Sequence, residues 1–191
     1  MYTFVKNHAA GNKPDSPGKL NLRIAGFSRQ QIVSIPQIVQ AIDILPSFHL
    51  EGLREIVYAP EWLAEHPFDY NSARLSGHKK GEFRQNERKI VFFNFDDVGL
   101  FYQILYHEIG HFVFFLALNS RAKKRWVTEI FPNSQCISHY GATNASEDFA
   151  ESYACYVRNP EALAQLPVKF AFMRDWVFSG RPESLKEKNT P

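Results

Sequence analysis

His107, Glu108 and His111 stand together in the stretch YHEIGHF, residues 106–112. Positions four apart lie one above the other on an α-helix, so the two imidazoles can face one ion. Glu108 follows His107 directly and points beside that ion rather than at it. That placement suits a base acting on a metal-activated water. The motif is embedded in apolar sequence: Ile104, Leu105, Ile109, Phe112, Val113, Phe115 and Leu116 surround it. Two histidines and a glutamate buried there without partners would be expensive. A zinc ion supplies the missing partner.

A catalytic zinc needs a third protein ligand and an open position. The stretch SHYGATNASEDFAESY, residues 138–153, offers Glu147 and Glu151, again four apart. One can bind the ion while the other accepts the free ring N–H of a histidine ligand. Carboxylates in a helix's first turns are also favoured by its dipole alone. Asn144 can cap that helix. His139 is an alternative third ligand, and it would leave both carboxylates without a role.

These residues need elements to hold them. Asp96 and Asp97 suit a helix N-terminus, and the apolar pattern then runs from about 98 to 118. RKIVFFNF, 88–95, is the clearest strand, and REIVYAP, 54–60, is a shorter one stopped by Pro60. IPQIVQAIDILP, 35–46, has helical spacing with Pro36 near its start. A second strong helix is expected over 146–157, and an apolar-faced one over 161–178. Residues 70–87 and 132–144 read as loops. The expected organisation is an arm over 1–20, one domain over 21–180 and a polar tail over 181–191.

Length and composition agree with one domain. The chain has 191 residues, 45% of them hydrophobic and 22% charged, which is globular rather than disordered. Aromatics reach 15%, and they are expected mainly in the core. The net charge of +2 makes no electrostatic case for nucleic acid. The one basic cluster, RAKKR at 121–125, reads as a solvated helix end whose cations complement the dipole. Two cysteines, Cys136 and Cys155, are too few for a disulfide framework. Residues 98–118 approach the length of a bilayer span, but Gln103, His107, Glu108 and His111 are costly there. No membrane span and no signal peptide are expected, which fits a cytoplasmic protein or one exported by another route.

HEIGH followed by SHYGATNASEDFAE closely resembles the catalytic domains of the anthrax-lethal-factor-like zinc metallopeptidases, which include the Pro-Pro endopeptidases. In that family a HExxH helix precedes a Tyr-x-x-Thr-Asn-x-x-Glu-x-Phe-Ala-Glu segment. Tyr140, Thr143, Asn144, Glu147, Phe149, Ala150 and Glu151 stand in that register. The likeness is strongest over 100–157, and residues 1–50 carry none of it. It implies an α+β, zincin-like fold: a small twisted sheet, a helix carrying HExxH, and a following helix carrying the third ligand. It further implies that Glu147 joins His107 and His111 on one zinc ion. Tyr140 would stabilise the oxyanion, and Glu151 would orient a histidine ligand. The expected function is a zinc metalloendopeptidase acting on a protein or peptide, with Glu108 as general base. The competing expectation is a catalytically silent zinc-binding interaction protein of the same fold. Retention of Glu108 beside both histidines weighs against it, since metal binding alone needs no base there.

Overall fold

The computed structural model describes residues 2–6, 20–61 and 80–179. Strand β2 (Leu20–Ala25) shows period-two burial, with Leu22 and Ile24 inside and Asn21 and Arg23 outside. Strand β3 (Glu55–Tyr58) runs parallel to it, and Arg23 stands opposite Glu55 in a cross-strand ion pair. Strand β5 (Lys89–Phe92) runs parallel to β3 in turn. Its Ile90, Val91 and Phe92 are buried in succession, so both faces of the sheet are covered there.

Antiparallel strands close both edges. Strand β1 (Tyr2–Lys6) pairs with β2, and strand β4 (Gly81–Arg84) pairs with β5, giving the order β1-β2-β3-β5-β4. Part of the segment read as an arm, 1–20, is therefore sheet. Part of the expected loop at 70–87 is likewise strand β4. Both are edge strands, and GEFR is short and charged, as edges tend to be. The rest of the arm, the loop residues 70–79 and the tail 181–191 lie outside the described residues.

Helix α1 (Ile35–Asp43) links β2 to β3. Ser34 and Gln37 form a reciprocal capping box at its start, and Ile38, Ala41 and Ile42 turn inward. Helix α2 (Val98–Phe112) carries the HEIGH motif and starts where the Asp97 carboxylate accepts from the Leu100 N–H at 2.7 Å. It is buried on nearly every side. Phe101 stacks on Phe92 of the sheet at 4.8 Å, and Phe83 of β4 meets Phe112 edge-on at 5.5 Å. The Tyr106 hydroxyl donates to the Ala41 carbonyl of α1 at 3.0 Å. A π-helical turn, Val113–Ala117, finishes the helix.

Helix α3 (Ser120–Arg125) contains the basic cluster and continues into a second π turn, Trp126–Ile130. Its cations are engaged locally. Lys123 donates to the Phe115 carbonyl at the end of the preceding helix, at 3.1 Å, while Arg121 and Arg125 lie over the Trp176 ring. Helix α4 (Ala145–Arg158) packs on α2. Short helices α5 (Pro160–Ala164) and α6 (Pro167–Phe172), with a last π turn at Met173–Phe178, return behind α4. Phe172 and Phe178 pack there on Trp126 and Tyr153, each at 5.0 Å. Among the described residues, no helix is long and apolar enough to cross a membrane. The fold is α+β, and most of its buried aromatics are core.

Candidate metal centre

Two helices bring the site together. Helices α2 and α4 come into backbone contact at Gly110, one residue before His111. A Cβ at Gly110 would sit 2.8 Å from the Ala150 Cα and 3.2 Å from its carbonyl oxygen. Only glycine lets the backbones meet this closely, and that closeness puts the face of α4 bearing Glu147 and Glu151 against the histidines. Asn144 fixes where α4 begins, its side-chain oxygen accepting from Ser146 N and Glu147 N at 3.0 Å each.

His107 Nε2, His111 Nε2 and Glu147 Oε2 form a triangle with all three edges at 3.1 Å. Among the described residues this is the one cluster of His, Cys, Asp and Glu atoms able to share an ion. Ligand atoms about 2.0–2.1 Å from a tetrahedral metal ion stand roughly 3.3 Å apart, so the triangle is of a size that could hold such an ion. The chemistry of the donor set agrees. His107 Nδ1–H donates to Glu151 Oε1 at 2.8 Å, so Nε2 is the nitrogen of that ring turned toward the other two atoms. Two imidazole nitrogens and a carboxylate oxygen then converge within hydrogen-bond distance, and one proton cannot satisfy three acceptors. His111 Nδ1 is buried without a hydrogen-bond partner among the described residues.

Electrostatics point the same way. Burial works against a charge on His107, but the bonds from Glu147 and Glu151 outweigh it and hold the ring up at about 10. Burial would raise Glu147, yet its bonds to His107 and His111 bring it down to about 2. Glu151 is also lowered: burial opposes this, and the His107 bond and the Ser138 hydroxyl overcome it. The shifts all favour positive charge beside these carboxylates.

Glu108 is buried beside the triangle, and burial raises its carboxyl, Glu147 adding to the effect. The nearby histidines and a hydrogen bond from the Phe83 backbone pull the other way. Strand β4 therefore runs past this carboxylate. A Cβ at Gly81 would fall 2.5 Å from an Ile104 methyl and 3.3 Å from Glu108 Oε1. Tyr140 is half exposed, with its ring centre 5.7 Å from that of His107. Its phenol is pushed well above the ordinary range by burial of the hydroxyl, by the Glu147 and Glu108 charges and by a hydrogen bond to Glu147.

His107, Glu108, His111, Tyr140, Glu147 and Glu151 thus share one corner of the molecule. His139 is exposed and stands outside the ligand triangle. Two contributors are not apparent from sequence. Ser138 donates to Glu151 Oε2 at 2.8 Å while accepting from Gly141 N at 2.9 Å, which ties the Tyr140 turn to the His107 orienter. Its only sequence signal is a serine three residues before a glycine, common in turns. Strand β4 supplies backbone, which no residue type announces. Cys136 and Cys155 are both free thiols. Compared with protein-family models and with curated proteins, the chain matches none.

Proposed function

We propose that this chain is a zinc-dependent metalloendopeptidase with a zincin-like arrangement of sheet, motif helix and ligand helix. The observation that carries the reading is the 3.1 Å triangle of His107, His111 and Glu147 with a buried glutamate, Glu108, beside it. The sequence resemblance to lethal-factor-like peptidases supports the same assignment. His107, His111 and Glu147 would hold the ion. When bound, zinc supplies Lewis-acid chemistry, lowering the pKa of a water and polarising the scissile carbonyl.

The remaining roles belong to the chain. Glu108 takes a proton from the attacking water and hands it to the leaving amine; burial raises its carboxyl and so makes it a better proton acceptor than an exposed glutamate. The Tyr140 hydroxyl, kept protonated by burial and by the carboxylates around it, donates to the developing oxyanion. Glu151 holds the Nδ1 proton of His107 and thereby aims Nε2. An extended protein or peptide substrate lies along the outer edge of β4, next to Glu108.

The decisive variant is Glu108→Gln. It should keep one zinc per chain and lose about 100-fold or more in turnover of an unbiased peptide library. Turnover at the parental rate would overturn the mechanism. A zinc-loaded parent that cleaves nothing would point instead to a zinc-binding interaction protein.

A further inference from the structure

The first turn of the ligand helix is gripped by residues that take no part in the chemistry above. Lys169 of α6 and Asp148 of α4 are both fully buried and form an ion pair, the ammonium donating to Asp148 Oδ1. A pair of charges taken wholly out of water is a weak source of stability, and apolar residues of similar size commonly do as well. What the pair does provide is direction. Asp148 follows Glu147 immediately, and successive side chains on a helix diverge by about 100°. Fixing the bearing of one therefore fixes the bearing of the other.

A second grip meets the first. Lys169 Nζ lies 5.7 Å over the Trp126 ring, and Trp126 Nε1 donates to the Ala145 carbonyl at 2.9 Å. Ala145 opens α4, two residues before Glu147. Lys169 thus touches both groups that hold this turn: Asp148 through charge and Trp126 through its ring face. With the Asn144 cap, the turn is restrained at its cap, a backbone carbonyl and a side chain.

We propose that Lys169, Asp148 and Trp126 form a positioning bracket that aims Glu147 at the metal, so that the returning helix α6 belongs functionally to the metal centre. The inference rests on the zinc reading above. None of the three is a ligand, and they act through Glu147.

The test uses the full chain and zinc alone. The double variant D148L/K169M removes both charges together, so no buried charge is left unpaired. It should retain the parental far-UV spectrum while zinc affinity, measured by competition with a chromophoric chelator, falls about tenfold or more. With cobalt in place of zinc, the visible bands should lose intensity as the ligand set departs from a tetrahedron. W126F keeps the aromatic face and deletes the donor to Ala145; its zinc affinity should fall in the same direction by a smaller factor. A folded double variant with parental zinc affinity and parental cobalt bands overturns the bracket. Should the double variant fail to fold, unchanged zinc affinity in W126F overturns it. If the parent itself binds no zinc, the metal reading falls and the bracket with it; if the parent binds and the variants match it, the bracket alone falls.

Discussion

His107 and His49 are both buried histidines leaning on helix α4, and they are opposite in character. His49 has Nε2 facing the Val177 carbonyl at 2.7 Å, so that nitrogen carries the proton and donates. Its Nδ1 then accepts from the Tyr153 hydroxyl at 2.8 Å. Every nitrogen is satisfied by a neutral partner. Burial takes the ring down to about 4, only partly offset by the Val177 bond. His107 meets two carboxylates instead, and its second nitrogen opens onto a point where two other acceptor atoms already converge. Burial alone therefore does not mark a functional histidine. What marks it is convergence on a point that neutral groups cannot satisfy.

That contrast can be broken first at the ligands. His107→Ala or Glu147→Ala should reduce bound zinc from one per chain to a small fraction, read by elemental analysis after desalting. Full occupancy in either variant would remove it from the ligand set. His49→Ala should do the reverse. It keeps its zinc and strands the Tyr153 hydroxyl and the Val177 carbonyl, a loss on the order of 3 kcal/mol in denaturant unfolding. Unchanged stability would mean that the His49 network is not structural.

Glu151→Gln is a gentler probe. The amide still sits near His107 Nδ1 but no longer offers a carboxylate, and zinc affinity should fall roughly 10- to 100-fold. An unchanged dissociation constant would show that Ser138 and the helix suffice to orient the ring.

The smallest effect is on pH dependence, after removal of metal by a chelator. His107 is raised from 6.5 to about 10, so its contribution to stability is fully present below 6.5 and is lost as pH rises through 10. His49 is lowered from 6.5 to about 4, so the unfolded chain takes its proton first and stability falls as pH drops from 6.5 to 4. The two histidines tilt the profile in opposite directions, and thermal midpoints across pH should separate them: a His107 variant flattens the alkaline side and a His49 variant the acidic side. Zinc binding should release a proton near neutral pH, because the ion replaces one on His107. Calorimetry in buffers of different ionisation heat reads this directly, and zero release would contradict the raised ring.

The cluster of His107, His111 and Glu147 was largely legible in the chain because each half of it is local. The histidines are one turn apart, and so are the two glutamates, and each pair needs only a helix to share a face. The long helices were legible for the same reason, with Asp97 and Asn144 announcing their starts. His49 was not, since its partners lie 104 and 128 residues away and no spacing encodes such a meeting. Lys169 was equally silent, a single cation within an apolar-faced helix, and only the fold shows that its partner is Asp148. The edge strands β1 and β4 escaped because both are short and lie beside Gly-, Pro- and Lys-containing stretches that read as loop. The π turns escaped because a register shift of one residue leaves the hydrophobic pattern almost intact.

The glycine contact between the two site helices bears on which ions the candidate site could accept. Because the gap at Gly110 is closed by backbone against backbone, α2 and α4 cannot spread without losing that packing. That packing limits how far the backbones carrying the histidines and Glu147 can part. Calcium, which needs six or more oxygens at about 2.3–2.6 Å, would have to force it wider. A small ion content with four close ligands would not. The missing methyl group at Gly110 would thus favour a small ion over a large one at this candidate site.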